Sequence, residues 1–512
     1  MGSLPPELWS HICLFLSPTD LADLALSSKS LLQSARRELY HTVVLDSDGR
    51  SVQETVKLLT KDIHLCRQVR KLILITSSGR WYPKNWPNFE FQTWFDPAIF
   101  GRMDALHTIH FHGWPAGNPR ASGGSDAFRD MLCAIYTMSR SLTSVKLENV
   151  ALPAEIIFTN YKPTQHLKPD FPVLPIIQRV TFKVTHGGGF GWSFVLPTFF
   201  FRSPSPIEYL DLSFGRYTPH FEALSTLSFP RLRTLHFRNL PRPASRHMTT
   251  FLLAHPSLRY VHLLQCDLFL EVGRLNVNML PDLHTISASP PLLLSLGQRC
   301  DSLRYIRCLY IDCDSVEFEL NEYQHMVNVT RGFPNLRHIA VSRPLRNGVH
   351  ISELMAAFYV SIELECWSGG FYVRDLLKMD SIPEVISIFP ALARLNICEW
   401  TYPHVPPLSE ATHLRALNEI ARAGRMLKKI ALYQVHLPTN EISAVYAVAA
   451  VSGDATVGPV PGIVSAGAAT RRSVSLQRTY QYVEGGPHIK ERRKVDFAST
   501  DWQIETPLLA AP

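Results

Sequence analysis

Apolar positions along the chain follow two patterns. At the start, Leu8, Ile12, Phe15 and Leu16 stand at i, i+4, i+7 and i+8, the wide stripe of an amphipathic helix. Pro5 and Pro6 suit its first turn, where a missing N–H costs nothing. Ser17 then caps a second helix, with Pro18 at its first position and Asp20 at its third as a capping box. Leu21 and Leu24 line that helix. A third helix is predicted over 29–40, burying Leu31, Ala35 and Leu39. From about residue 204 another phrase recurs, in copies such as FPRLRTLHF, HPSLRYVHL, FPNLRHIAV and FPALARLNI. Its apolar residues fall at 0, +3 and +5 from anchors at Ile207, Leu232, Leu258, Leu283, Leu303, Leu336, Leu392 and Leu427. Five of the eight anchors have a proline two residues earlier, at Pro230, Pro256, Pro281, Pro334 and Pro390, although proline is 37 of 512 residues.

That spacing predicts one short strand per copy, with 0, +3 and +5 turned inward. Early steps of 25 (207 to 232), 26 (232 to 258) and 25 (258 to 283) are regular, whereas later gaps of 33 and 56 imply insertions or a hidden copy at Tyr359, Ile362 and Leu364. Weaker copies stand upstream at Leu142, Leu106, Val69 and Tyr40. The phrase and its period resemble a leucine-rich repeat. The usual asparagine is absent or displaced, as at Asn149 and Asn239, so the turns must be built differently. The resemblance implies short parallel strands stacked into a solenoid with helical or irregular backs; a helical solenoid is the alternative.

Three helices in about 40 residues carry more apolar surface than they can bury among themselves, and such a leftover patch marks a partner or the domain that follows. The run Leu4-Pro5-Pro6-Glu7-Leu8, then Ile12, Phe15 and Leu16, then Pro18, Asp20-Leu21 and Leu24, resembles the F-box motif, followed by Ser27-Ser28-Lys29-Ser30 and a fungal-type exit over 38–45. Leu31 and Leu32 stand where family members commonly carry an aromatic residue. The resemblance implies a three-helix module that docks the Skp adaptor, and through it the cullin and RING subunits of a ubiquitin ligase. It implies Leu4, Pro5, Leu8, Ile12, Leu16, Pro18, Leu21 and Leu24 as the adaptor surface. The fold class that results is α/β: an F-box over 1–45 and a repeat solenoid over 46–437. A linker rich in Ala, Gly, Val and Ser follows over 438–474, and then a hairpin-like tail over 475–512, with Tyr480 and Tyr482 alternating before Gly485-Gly486 and Val495 and Phe497 after. In that tail Lys490, Arg492, Arg493 and Lys494 read either as a solvated strand edge or as a nuclear address.

Composition narrows the function. Hydrophobic content of 46% and charged content of 19% fit a folded protein, and a net charge of +7 is too mild to mark a nucleic-acid binder. No signal peptide or membrane-length apolar run is seen, so the glycosylation triplet at Asn328 is expected to be idle and the location cytoplasmic or nuclear. Nine cysteines without a C-x-x-C pair, with Cys300, Cys308 and Cys313 the one close cluster, read as reduced, scattered thiols.

No catalytic set emerges, so no enzyme and no cofactor are expected. THGGGFGW at 185–192 resembles the oxyanion loop of esterases, yet the chain has no G-x-S-x-G elbow, and a loop between repeats accounts for it. LHTIHFHGW brings His107, His110 and His112 close in sequence; on a strand His110 and His112 share the face opposite Ile109 and Phe111, so a solvated polar face accounts for them without a metal. The expected role is therefore that of a substrate receptor for a ubiquitin ligase, with a non-ligase interaction scaffold as the alternative. If positions between anchors face outward, Arg233, His236, Arg238, Arg259, Tyr260, His262, Arg304, Tyr305, Arg307, Arg337 and His338 form a stripe of Arg, His and Tyr. Such a stripe is either idle repeat filler or a groove for an acidic or phosphorylated protein segment.

Overall fold

The computed structural model describes residues 5–46, 51–75, 98–112, 139–148, 177–183, 206–213, 224–225, 227–240, 242–266, 279–297, 305–311, 333–341, 355, 358–372, 385–398, 410–436, 439–450, 474–481 and 494–495. The chain divides into two compact units, Met1–Thr234 and Leu235–Pro512.

The first unit opens with α1 (Pro6–Cys13), α2 (Pro18–Ser27) and α3 (Lys29–Leu39). The capping box at Ser17 forms as its sequence predicts: Asp20 N donates to Ser17 Oγ at 3.2 Å, and Ser17 N donates to the Asp20 carboxylate at 3.2 Å. Helix α1 stops at Cys13, so Phe15 and Leu16 lie in the turn before α2 rather than on the predicted stripe. Cys13, Leu21 and Ala35 form the helices' shared core, with Leu16, Leu24, Ala25 and Leu39 packed against it. Burial, with the nearby charge of Glu38, pushes the Cys13 thiol up.

Helix α3 passes through Tyr40-His41 directly into strand β1 (Thr42–Asp46). Strands β2 (Lys71–Ile75), β3 (Thr108–His112), β4 (Ser144–Glu148), β5 (Arg179–Lys183) and β6 (Tyr209–Ser213) then follow, each parallel to the one before. Helices α4 (Ser51–Lys61) and α5 (Ile63–Gln68) join β1 to β2, and α6 (Ala98–Arg102) precedes β3.

In the second unit, β7 (Thr234–Arg238, apart from its first residue), β8 (Tyr260–Leu264), β9 (Thr285–Ala288), β10 (Cys308–Ile311), β11 (His338–Val341), β12 (Cys366–Tyr372), β13 (Arg394–Cys398) and β14 (Lys429–His436) recur in the same way. From β8 to β14 each strand pairs in parallel with the next. Helices α7 (Ser245–Ala254), α8 (Pro290–Gly297) and α9 (Glu410–Ala423) lie between strands. No helix among the described residues is long and apolar enough to cross a membrane.

The anchor phrase has a physical cause. The residue three before the anchor is buried, and its carbonyl accepts from the anchor's N–H: Leu232 to Phe229 at 2.9 Å, Leu283 to Leu280 at 3.1 Å, Leu392 to Phe389 at 3.3 Å. That is a β-turn, and proline two before the anchor takes its second position, where a fixed φ is favoured. The carbonyl one residue past each anchor then accepts two N–H groups from the next rung: His284 and Thr285 both donate to Arg259 O, and Arg307 and Cys308 both donate to His284 O. The same double acceptance recurs at His41, Arg70 and His107 in the first unit and at Arg337 and Glu365 in the second. Where strands end, Asn239 and Gln265, each seven past its anchor, take positive φ of 59° and 52°, a conformation asparagine tolerates well.

Three parts of the predicted register need correction. The anchor of the β10 rung is Ile306, not Leu303, because Cys308 pairs with Thr285 and Arg307 N donates to His284 O. The hidden copy exists, but its anchor is Leu364; Tyr359 and Ile362 are 50% and 62% exposed. The 56-residue gap thus becomes two steps of 28, from 336 to 364 and from 364 to 392. A rung anchored at Ile177, with Val180 and Phe182 buried, is a further copy that the sequence reading missed.

The linker reading also changes at its start. Residues Thr439–Ala450 form β15, antiparallel to β14, and β16 (Val474–Gln481) pairs antiparallel with β15. The short β17 (Lys494–Val495) pairs with Asn440 and Glu441 of β15, and the turn of the predicted hairpin lies outside the described residues. The rest of the linker, Tyr482, Gly485-Gly486, Phe497 and Lys490, Arg492 and Arg493 lie outside the described residues, as do Leu303, the Gly-rich stretch at 185–192, Asn149, Asn328, Cys300 and Cys313. Cys13, Cys66, Cys266, Cys308 and Cys366 are buried free thiols, and burial pushes Cys66 and Cys308 up to about 11.

Candidate functional site

Two surfaces and one side-chain cluster bear on function. The first surface is on the N-terminal helices. Leu8 and Ile12, one turn apart on α1, are 49% and 37% exposed. Pro5 is exposed too, and so are Leu14, Phe15 and Leu26, with Phe15 at 78%. His11 meets the Phe15 ring edge to face at 5.4 Å. Of the eight residues implied by the F-box resemblance, Pro5, Leu8 and Ile12 are thus open to a partner. Leu21 is core, and Leu16 and Leu24 pack on that core, because a three-helix unit this small needs them to hold itself together. Leu21 thus lies beneath the surface, whereas Leu16 and Leu24 keep part of their side chains open. Leu4 lies outside the described residues, and of Pro18 the structure describes the backbone. Helical spacing singled out Phe15 but not the exposed Leu14 and Leu26, which sit in the turn and near the end of α2.

This platform is tied to the first rungs. The His41 carbonyl accepts from Arg70 N at 3.0 Å and Lys71 N at 2.9 Å, and Arg36 of α3 lies 3.5 Å from Asp62, which caps α5.

The second surface is the predicted Arg–His–Tyr stripe, and the structure rearranges it. His236 and His262, four past their anchors, are 6% and 0% exposed, their rings 4.3 Å apart. Alternation along the strand places them opposite Leu235 and Phe237 and opposite Val261 and Leu263, but their own face is covered here too, and burial lowers the His262 pKa well below the ordinary value. Neither is an exposed contact. Arg238 and Tyr260 are half-buried, Arg233 is exposed, and Arg304 lies outside the described residues. Tyr305 is exposed but precedes its anchor.

With the register corrected, Arg259, Arg307 and Arg337 occupy the same position, one past the anchor, and His284 fills the rung between Arg259 and Arg307. The sequence reading missed His284. It is tied to its neighbours: the Tyr260 ring lies 5.8 Å away, and burial together with the Arg307 and Arg259 charges lowers its pKa. Arg337 reaches Glu363 at 3.4 Å and Glu365 at 3.6 Å. Beside it, burial and the Arg394 charge bring His338 down to about 4.

The cluster is in the first unit. His110 and His112 project from one face of β3, and register pairs His112 with Glu148 of β4. His110 Nε2 donates to Glu148 Oε2 at 3.0 Å, and His112 Nδ1 lies 3.4 Å from the same oxygen. Lys146 Nζ holds the other oxygen at 2.9 Å, with Lys183 at 4.0 Å and Asp211 3.1 Å beyond it. Burial alone would raise Glu148, but the His110 and Lys146 hydrogen bonds and the Lys146 charge hold it far below the usual carboxylate range. His107 stays apart, its Nδ1 3.1 Å from Ser141 O. The exposed polar face predicted for these histidines is half-buried, since Glu148 fills the space between them.

Comparison with known families agrees with the N-terminal geometry: a family profile described as F-box-like matches residues 1–46. The matched span covers α1 to α3 and the whole of β1, so it supports an F-box protein and a role in binding a Skp-type adaptor. No curated protein matches the chain.

Proposed function

We propose that this chain is the substrate-recognition subunit of a Skp–cullin–F-box ubiquitin ligase, in the cytoplasm or nucleus, and is not itself an enzyme. The observation that carries the reading is the passage from α3 through Tyr40-His41 into β1. A module with exposed apolar anchors is fused, without a linker, to a ladder of parallel strands. The ladder's regular anchors, buried turns and parallel pairing support the reading of a leucine-rich-repeat-like solenoid, a scaffold that offers repeated side chains to a protein target. On this reading Leu8, Ile12 and the neighbouring Phe15 enter the adaptor's apolar groove, and the rungs select the target.

Co-purification of the tagged full chain with adaptor, cullin and RING subunits tests this. Leu8→Asp with Ile12→Asp places two carboxylates in the interface and should abolish adaptor capture, while two exposed sites change stability by about 0.5 kcal/mol or less each. Leu21→Asp, at a core site, should instead unfold the helices. Full adaptor capture by the folded double variant would overturn the docking assignment. Capture of adaptor without cullin would favour a non-ligase scaffold.

A further inference from the structure

We propose that His110, His112 and Glu148 form a site for a divalent transition ion of the zinc class, held between the third and fourth strands with one coordination position left open.

The donor set is chemically apt. Two borderline imidazole nitrogens and one hard carboxylate oxygen make a set that Zn2+ accepts, and three protein ligands with an open fourth position are a known zinc arrangement. Geometry supports it as well. The three ligand atoms lie within 4.8 Å of one another. With zinc bonds of about 2.0–2.2 Å, the atoms of a tetrahedral site stand roughly 3.3–3.6 Å apart. His110 Nε2 and His112 Nδ1 are 3.0 and 3.4 Å from Glu148 Oε2, so two of the three edges already stand near that spacing.

The strands supply the rigidity. Residues two apart on β3 point the same way, and His112 and Glu148 are register partners on adjacent strands. Ile109 and Phe111 are fully buried and fix the opposite face of β3, while Val145 and Leu147 do the same for β4. Site atoms carried on packed strands hold their positions better than atoms on loops.

Lys146 and Lys183 bear against the same carboxylate, but through Oε1, leaving Oε2 to the imidazoles. Lys183 also has Asp211 to hold it at 3.1 Å. Lys146 is the competitor: its ammonium sits where it neutralises Glu148, and its long, partly exposed stem lets it swing to water when an ion enters. Removing that ammonium should therefore tighten the site, whereas a cluster that is purely an ion-pair network would gain no ligand by its loss.

The test uses the full chain, stripped with chelator and equilibrated with Zn2+ alone, in four forms: parent, His112→Ala with Glu148→Gln, Lys146→Ala, and His107→Ala as a control outside the site. Bound zinc is read by elemental analysis, with folding checked by circular dichroism. Parent and His107→Ala proteins should each hold one equivalent more than the double variant. Lys146→Ala should keep that equivalent and release it to a competing chelator more slowly or at higher chelator concentration. Cobalt substitution should give the parent a visible absorption band that the double variant lacks. Equal zinc in parent and folded double variant overturns the proposal. Loss of the equivalent in Lys146→Ala overturns it too, since that variant retains all three ligands. These outcomes are independent of whether the chain captures a ligase adaptor.

Discussion

The rung at β12 offers the sharpest test of the architecture, because two aliphatic residues two positions apart, both inward by the sequence pattern, part company in the structure. The 0, +3, +5 pattern at Tyr359, Ile362 and Leu364 puts Ile362 inside. In the structure Ile362 is 62% exposed, and Leu364 is fully buried as the anchor. Leu364 N donates to Ser361 O at 3.1 Å, and Trp367, three residues on, is fully buried with the Phe358 and Phe389 rings 5.9 and 6.5 Å away. Truncating Leu364 to Ala removes interior methyl groups against this aromatic wall, a surface too large to collapse into the gap, and should cost about 2–5 kcal/mol. Ile362→Ala removes side chain that already meets water and should cost about 0.5 kcal/mol or less.

A chain of two units has no single unfolding free energy, so the effect is best read locally. Hydrogen exchange of the β12 amides, among them Cys366 N–H bound to Arg337 O at 2.9 Å, reports opening of this part of the ladder. At tenfold per 1.4 kcal/mol, Leu364→Ala should speed exchange by about 30-fold to a few thousandfold, and Ile362→Ala by about twofold at most. Equal acceleration by the two variants, or a larger effect at Ile362, would refute the register.

Two further predictions concern the second unit. Arg259→Glu, Arg307→Glu and Arg337→Glu together should abolish capture of an acidic or phosphorylated target segment, and the parent's capture should weaken as salt is raised; undiminished capture by the triple variant would place the target elsewhere. Acidification should also loosen this unit. Burial depresses His255, His262, His284 and His338 in the folded state, His338 to about 4, below the ordinary value of 6.5. The unfolded chain then binds more protons, so the stability these groups contribute is present above about pH 6.5 and is lost as pH falls toward 4. Exchange protection in β8–β12 measured across that window should fall, and His338→Gln should flatten the fall; a pH-independent profile in the parent contradicts the assignment.

Much of this was legible because each rung repeats a local cause. Proline two before the anchor marks a β-turn whose first residue is buried, as at Phe229, Phe333 and Phe389, and the motif survives where the rest of the repeat has drifted. The capping box at Ser17 was legible for the same reason, being complete within four residues. What failed was longer in range. Leu303, Ile306 and Cys308 satisfy the apolar pattern, and so do Ile306, Leu309 and Ile311. Pairing with β9 decides between them, and that information lies in a neighbouring rung. Ile177 carries the same mark, with Pro175 two residues before it and Val180 and Phe182 at +3 and +5, so this rung was legible by the same rule although the sequence reading passed over it. Glu148 could be joined to His110 and His112 once the register of β3 on β4 was known. Period two assigned His236 and His262 to the face opposite the +3 and +5 residues, but no pattern along a single strand says whether that face meets water.

The corrected register also changes what the basic residues mean. Scattered along the sequence, an arginine after each anchor reads as filler. Placed one past the anchor on successive rungs, Arg259, His284, Arg307 and Arg337 stand at the roughly 4.8 Å spacing of neighbouring strands. Their carbonyls are committed to the next rung, each accepting two N–H groups, so the backbone fixes the column and leaves the side chains as its variable part. Arg307 and Arg337, on adjacent rungs, would repel by about 1 kcal/mol in water if they stood about 4 Å apart, and Arg259, two rungs from Arg307, by less. Arg337 offsets this through Glu363 and Glu365, whereas no ion pair to Arg259 or Arg307 is formed among the described residues. The lowered pKa of His284 registers both of those guanidinium charges. His284 therefore stays neutral beside them, a donor and acceptor between two forks. Two guanidinium groups flanking a neutral imidazole, with the Tyr260 ring alongside, match an anion spread over several oxygens better than a single point charge. A phosphorylated or multiply acidic segment lying along the rungs has that form, and its binding would remove the repulsion that the empty column carries.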